Sequence, residues 1–145
     1  MWVAGKVHQR LGDFSMALKY FTRGLEVRPG QPDLAIEAAL AAIQLGHGEQ
    51  AERFARIAVK ARPEDAGHRA DLALALLVAG KADEAKLTAE EALRLAPGDG
   101  ISQILHRIIC LVIKEDLPHP KSIHEVQQIA KTHGITNAQG VPPRR

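Results

Sequence analysis

Apolar positions along this chain fall into runs with the spacing of amphipathic helices, cut by short polar breaks that return at an interval of about 34 residues. Three columns keep one register: Gly12, Gly46 and Gly80; Ala17, Ala51 and Ala85; Pro29, Pro63 and Pro97. Weaker columns agree with them. Gly5, Ala39 and Ala73 are small, as are Gly24, Ala58 and Ala92, while Leu25, Val59 and Leu93 are apolar. Each column has a job in a helix-turn-helix unit. The glycine follows a helical run, in RLGD, QLGH and VAGK, and supplies the left-handed backbone that ends it. The alanine comes early in the next helix, where the missing bulk lets two backbones approach. The proline closes that second helix, since it has no amide proton and clashes with the preceding turn.

The pattern predicts helices near 1–10 and 14–27, with Asp13 as N-cap, then 32–45 and 48–61, and then 66–79 and 82–95. A further helix is expected over about 100–115. Pro118 and Pro120 then interrupt the chain, and Ser122 with Glu125 reads as a capping box opening a last helix that ends near His133 and Gly134. Ile123, Val126, Ile129 and Ala130 share one face of it, which suits an end helix with its other side in solvent. The closing TNAQGVPPRR has no helical period. The expected organisation is a repeat array over 1–134, with units at about 1–30, 31–64 and 65–98, a helical cap over 99–134 and a flexible tail over 135–145.

Composition supports closely packed helices in one domain. Of 145 residues 46% are apolar but only 3% aromatic, so the core must be built from Ala, Leu, Ile and Val. A sandwich or barrel would use more aromatic and β-branched residues. The 19 basic residues are nearly balanced by 17 acidic ones, leaving a net charge of +2 with no basic footprint for nucleic acid. Neither a secretory signal nor a membrane span is expected, because the longest apolar stretch, ISQILHRIICLVI, is broken by Gln103, His106 and Arg107. A cytoplasmic location is the matching expectation. The lone Cys110 excludes an intrachain disulfide and is expected to be a small buried hydrophobe, with Lys114 one turn away.

The register resembles the tetratricopeptide repeat. Gly5, Gly12, Asp13, Phe14, Ala17, Tyr20, Phe21 and Pro29 match its pattern best, while Ala42, Ala55 and Ala89 replace aromatic positions in later units. The resemblance covers 1–97 well and 98–134 poorly. It implies an all-α fold, a right-handed superhelix of stacked antiparallel helix pairs whose first helices line a concave surface that holds a partner peptide or helix. Carried onto this chain, that surface comprises Trp2, Lys6, Gln9 and Arg10 in the first unit. The second unit adds Asp33, Ile36, Leu40, Ile43 and Gln44, and the third adds Ala70, Leu74, Leu77 and Val78. Met1 falls where the family's first helix is already several residues old, so that helix is expected to be shortened, either as a trimmed cap or as the end of a longer array.

Helix 32–45 is apolar nearly all round, so something must cover both of its faces. Either a partner anchors on Ile36, Leu40, Ile43, Leu74, Leu77 and Val78, or the C-terminal helices curl back over them. For helix 100–115, strict spacing would turn Ile101, Ile104, Ile108 and Leu111 to the groove but bury His106 and Arg107. A two-residue slip is therefore favoured, with Leu105 in the core and His106 facing the groove. In the subclass of such repeats that clamps the acidic tails of heat-shock chaperones, the matching positions are Trp2, Lys6, Glu37, Gly67 and Asp71. Two of these are acidic and would repel a carboxylate.

Chemistry is not suggested elsewhere. His8, His47, His68, His106, His119, His124 and His133 form no convergent pair at ligand spacing, so no metal or other cofactor is expected. The neighbouring acids Asp83 and Glu84, and Glu90 and Glu91, point in different directions on their helices, and no phosphate loop or nucleophile elbow occurs. The expected function is non-catalytic: a module or scaffold for a protein or peptide partner, with neither nucleic acid nor membrane. Self-association as a homo-oligomer, or docking and regulation as part of a larger enzyme, are the rival readings. On the leading one, Leu74→Glu should leave helical circular dichroism largely intact while abolishing capture of a partner.

Overall fold

A computed structural model describes residues 2–135, so the expected tail lies outside the described residues except for Ile135. Among the described residues the helices are α1 (Trp2–Arg10), α2 (Phe14–Val27), α3 (Pro32–Gln44), α4 (Gly48–Ala61), α5 (Ala66–Val78), α6 (Ala82–Leu95), α7 (Gly100–Lys114) and α8 (Ile123–Thr132). From α1 to α7 each helix packs on the next in sequence. In addition α3 touches α5 and α5 touches α7. The odd-numbered helices thus form an inner layer and α2, α4 and α6 an outer one, giving the stacked superhelix.

The hairpin turns repeat one hydrogen-bonding device. Gly12, Gly46 and Gly80 have φ of 78°, 77° and 84°. The residue after each donates its amide back into the helix, Asp13 to the His8 carbonyl at 2.9 Å, His47 to Ala42 at 2.8 Å and Lys81 to Leu76 at 2.8 Å. This satisfies carbonyls that the helix end would leave open. Helix α7 ends the same way, with Asp116 (φ 50°) in the glycine's place and Leu117 donating to Val112 at 3.1 Å. Short polar side chains tolerate that conformation better than most. At the other ends, Asp13, Asp65, Asp99 and Ser122 accept the amides of Met16, His68, Ser102 and Glu125 at 3.0–3.2 Å. Gln31 caps α3 through the Leu34 amide, with Pro32 in the first turn. Glu125 accepts from Lys121 rather than from Ser122, so the box closes one residue further out.

Small residues set the helix spacing. Ala17, Ala51, Ala85, Ala39, Ala73, Ala58 and Ala92 are fully buried, as are the aromatic-replacing Ala42, Ala55 and Ala89. At Gly5 even a methyl group is excluded, since a Cβ would lie 2.5 Å from the ring of fully buried Phe21. Helices α3 and α5 are apolar almost all round because the stack encloses them, α3 by α2, α4 and α5, and α5 by α3, α4, α6 and α7.

The slip expected at α7 is met at Leu105, which is buried in the core, but not at His106. His106 points to α6, with Nε2 3.6 Å from Glu90 Oε2, and Arg107 is exposed. Strict spacing buries Arg107 only if another helix covers that side of α7, and α8 goes elsewhere. Cys110 is half-buried, with Sγ 3.6 Å from His106 Nε2, so it is less enclosed than expected. None of the described helices is long and apolar enough to cross a membrane.

A charge cluster braces the outer layer. Glu52 of α4 is buried and accepts from Lys81 Nζ at 2.8 Å and Arg56 Nε at 2.9 Å, while Arg56 also pairs with Glu84 of α6. Burial pushes the Glu52 carboxyl up, but the hydrogen bonds from Lys81 and Arg56 together outweigh it and hold its pKa below the ordinary value. A carboxyl lowered in the folded state contributes stability above its unfolded pKa, and this is lost as the pH falls through the folded value. Glu52→Gln should therefore cost on the order of 1 kcal/mol at neutral pH, and urea denaturation of variant and wild type should converge in acid. Gly5→Ala should destabilise by about 1–3 kcal/mol through overpacking against Phe21, outweighing a helix-propensity gain of about 1 kcal/mol, as read from the urea midpoint.

Candidate functional site

The inner faces of α1, α3, α5 and α7 form the concave surface, and α8 divides it. The connector 115–122 passes the turn between α3 and α4, where a Cβ on Gly46 would come within 3.6 Å of the Lys121 carbonyl oxygen. Helix α8 then lies against α5 and α7. Ile123, Val126 and Ala130 face Ala70 and Leu74 of α5 and Ile101, Ile104 and Ile108 of α7 around an apolar cavity of about 60 Å³. Val126 and Ala130 are buried there, and so are Ala70 and Leu74.

The N-terminal half stays open. A cleft of about 390 Å³ is walled by Gln9, Phe14, Leu40 and Gln44 on one side and by Ile123, His124 and Gln127 on the other. Beside it Glu37 receives Lys6 Nζ at 3.3 Å and Gln9 Nε2 at 2.8 Å, joining α1 to α3. Lys6 also lies 5.6 Å from the centre of the Trp2 ring, and Trp2 leans on Phe21 with ring centres 6.0 Å apart.

The residues expected in the groove separate into three groups. Gln9, Leu40 and Gln44 come together on the cleft wall, with Lys6 close by through Glu37 and Arg10 exposed on the same helix. Ala70 and Leu74 face α8. Four of the remainder are not on open surface. Ile43 and Leu77 are fully buried, and Val78 is 8% exposed in the same core. Ile36, 9% exposed, packs in the first core cluster with Phe21 and Leu25. These four cannot serve as anchors while the stack is intact, because they fill the seams between neighbouring helices. Asp33 turns to the outer layer, 3.5 Å from Arg62 at the end of α4.

Phe14, Ile123, His124 and Gln127 are cleft residues that the repeat register did not bring into the groove. Two prolines and a one-sided apolar helix were the available signal for the last three, and they give no direction of docking. Among the described residues no three His, Cys, Asp or Glu side chains are grouped to hold a metal ion. His8 stacks on Tyr20, with ring centres 5.4 Å apart, and His68 is buried next to Asp65.

Residues 10–70 match the family model described as Tetratricopeptide repeat. No curated protein matches the chain. Among solved structures, the Sgt2 domain of this type from Aspergillus fumigatus superposes with a TM-score of 0.73 at 20% identity, over 84% of this chain and 85% of that one. The first such domain of Spaghetti (RPAP3), bound to the HSP90 peptide SRMEEVD, gives 0.72 at 23% identity, over 78% and 90%. An O-GlcNAc transferase from Thermobaculum terrenum gives 0.69 at 20% identity, over 90% of this chain but 25% of that one. At these identities the likeness is one of fold alone.

The position of Leu74 revises the expectation for its substitution. A carboxylate there would be buried against Val126 of α8 with no partner, which costs several kcal/mol in order of magnitude unless the lid lifts. Leu74→Glu should therefore unseat α8 and lower the thermal midpoint, so loss of binding in this variant alone would not identify a contact residue.

Proposed function

We propose that this chain, whose residues 10–70 match the tetratricopeptide-repeat family model, is a non-catalytic interaction module that binds a protein segment at the open half of its concave face. The observation that carries this reading is the cleft bounded by Gln9, Phe14, Leu40 and Gln44. Its floor is apolar, from Leu40 and Phe14, and its rim is polar, from Gln9, Gln44 and exposed Arg10, which is the usual anatomy of a protein-binding patch. The ligand chemistry differs from that of the Spaghetti domain. That domain is bound to a peptide with an acidic end. Here Lys6 is already paired with Glu37, and acidic side chains, Glu37 and Asp71, stand at two of the clamp positions, so the site lacks the free donors that an acidic tail needs. A segment with one apolar side chain for the floor and amide or hydroxyl groups for Gln9 and Gln44 suits it better.

A second reading is favoured by one feature. Val3, Val7 and Leu11 are 71%, 50% and 75% exposed and lie four residues apart on α1 and the turn that follows it. Such a stripe suits docking of another copy.

Gln44→Trp, at an exposed position, should fill the mouth of the cleft and reduce capture of the partner about tenfold or more, with unchanged circular dichroism. Lys86→Glu on the outer layer should capture as wild type does. Equal capture by Gln44→Trp would discard the concave-face reading. A dimer in sedimentation that Val7→Glu converts to monomer would favour the second.

A further inference from the structure

We propose that α8 is a removable occupant of the concave face, seated where an amphipathic helix from a partner protein docks. This rests on the reading of the concave face as an interaction surface and extends it to the covered half. The chain itself displays what fits there, since Ile123, Val126 and Ala130, at helical positions i, i+3 and i+7, lie against Ala70, Leu74 and Ile104.

The seat is apolar and loosely filled. Among the described residues, the side-chain hydrogen bonds of α8 and its cap all stay within 121–125, from Ser122 to the Glu125 amide and from Glu125 to the Lys121 amide. The contacts that Ile123, Val126 and Ala130 make with α5 and α7 are apolar. Below α8 lies the cavity of about 60 Å³, and clefts of about 390 and 370 Å³ flank it. A helix with Leu or Met in place of Val126 fills that cavity, gaining contacts that α8 lacks. The partner favoured by this geometry is thus an amphipathic helix of the same spacing with a larger middle anchor.

The hinge permits release. Helix α7 is closed by its own left-handed turn at Asp116 and by the bond from Leu117 to Val112, so it does not depend on α8 for its end. The connector holds Pro118 and Pro120 and has no helix. Lifting α8 exposes Leu74 and Ile104 without opening the contacts between α3, α4, α5 and α6. The resting occupant lowers the apparent affinity of any incoming helix by the fraction of molecules with the groove free.

Hydrogen exchange on the full chain reads the release directly. Amides of α8 should exchange about a hundredfold faster than those of α5, and equal protection would overturn the proposal. The binding probe is a labelled synthetic peptide of residues 121–134 carrying Val126→Leu. It should bind full-length Val126→Asp about tenfold more tightly than wild type, and the native-sequence peptide should bind less well than the probe. Val126→Ala, which introduces no charge, should give a smaller gain in the same direction. No gain in either variant, or loss of the cooperative helical transition in both, would mean that α8 belongs to the core and would end the proposal. If that happens while Gln44→Trp still abolishes partner capture, the open-half reading stands alone.

Discussion

The distance of closest approach between helices governs this structure. Where α1 crosses α2, Gly5 meets the Phe21 ring with no room for a methyl group, and the buried alanines of the later units occupy the corresponding seams. Such close packing draws its stability from many short dispersion contacts rather than from a few large side chains. That is why a chain with 3% aromatic residues can build a continuous core. It also explains why the inner helices are apolar nearly all round, since each middle hairpin has neighbours before and behind it.

The same spacing produces a curved inner layer, and the chain uses half of it internally. Over α5 and α7 the apolar strip is roofed by α8, whereas near α1 and α3 the charges of Lys6 and Glu37 cancel beside a cleft with a mixed lining. The two halves therefore differ in chemistry as well as access. One offers hydrogen-bonding amides around a small apolar floor, the other a dry surface already in contact with a helix.

Local signals were legible in the sequence and long-range ones were not. Glycine at the turns, the caps at Asp13 and Ser122 and the small-residue columns each depend on a few neighbouring residues, and the structure realises all of them. Which apolar face is seam and which is groove is harder, because Ile43 and Leu40 are chemically alike and only the stacked neighbours bury one completely. The expectation that His106 of α7 faces the groove rested on a sound rule with a false premise. Burying His106 and Arg107 would be costly if a helix covered them, but that side of α7 has no such cover for Arg107. The docking of α8 depends on where a proline-interrupted connector turns, and nothing in the residues of 115–122 encodes that direction in isolation.

Trp2 is the only tryptophan in the chain, and it rests on Phe21 at one extremity of the stack. In a linear array each unit contacts only its neighbours, so the two ends need not melt together. Emission from that indole accordingly registers the first hairpin, whereas far-ultraviolet dichroism averages over every helix. A mismatch between the two signals would locate fraying at the amino-terminal end, and agreement between them would mark the assembly as a single cooperative block.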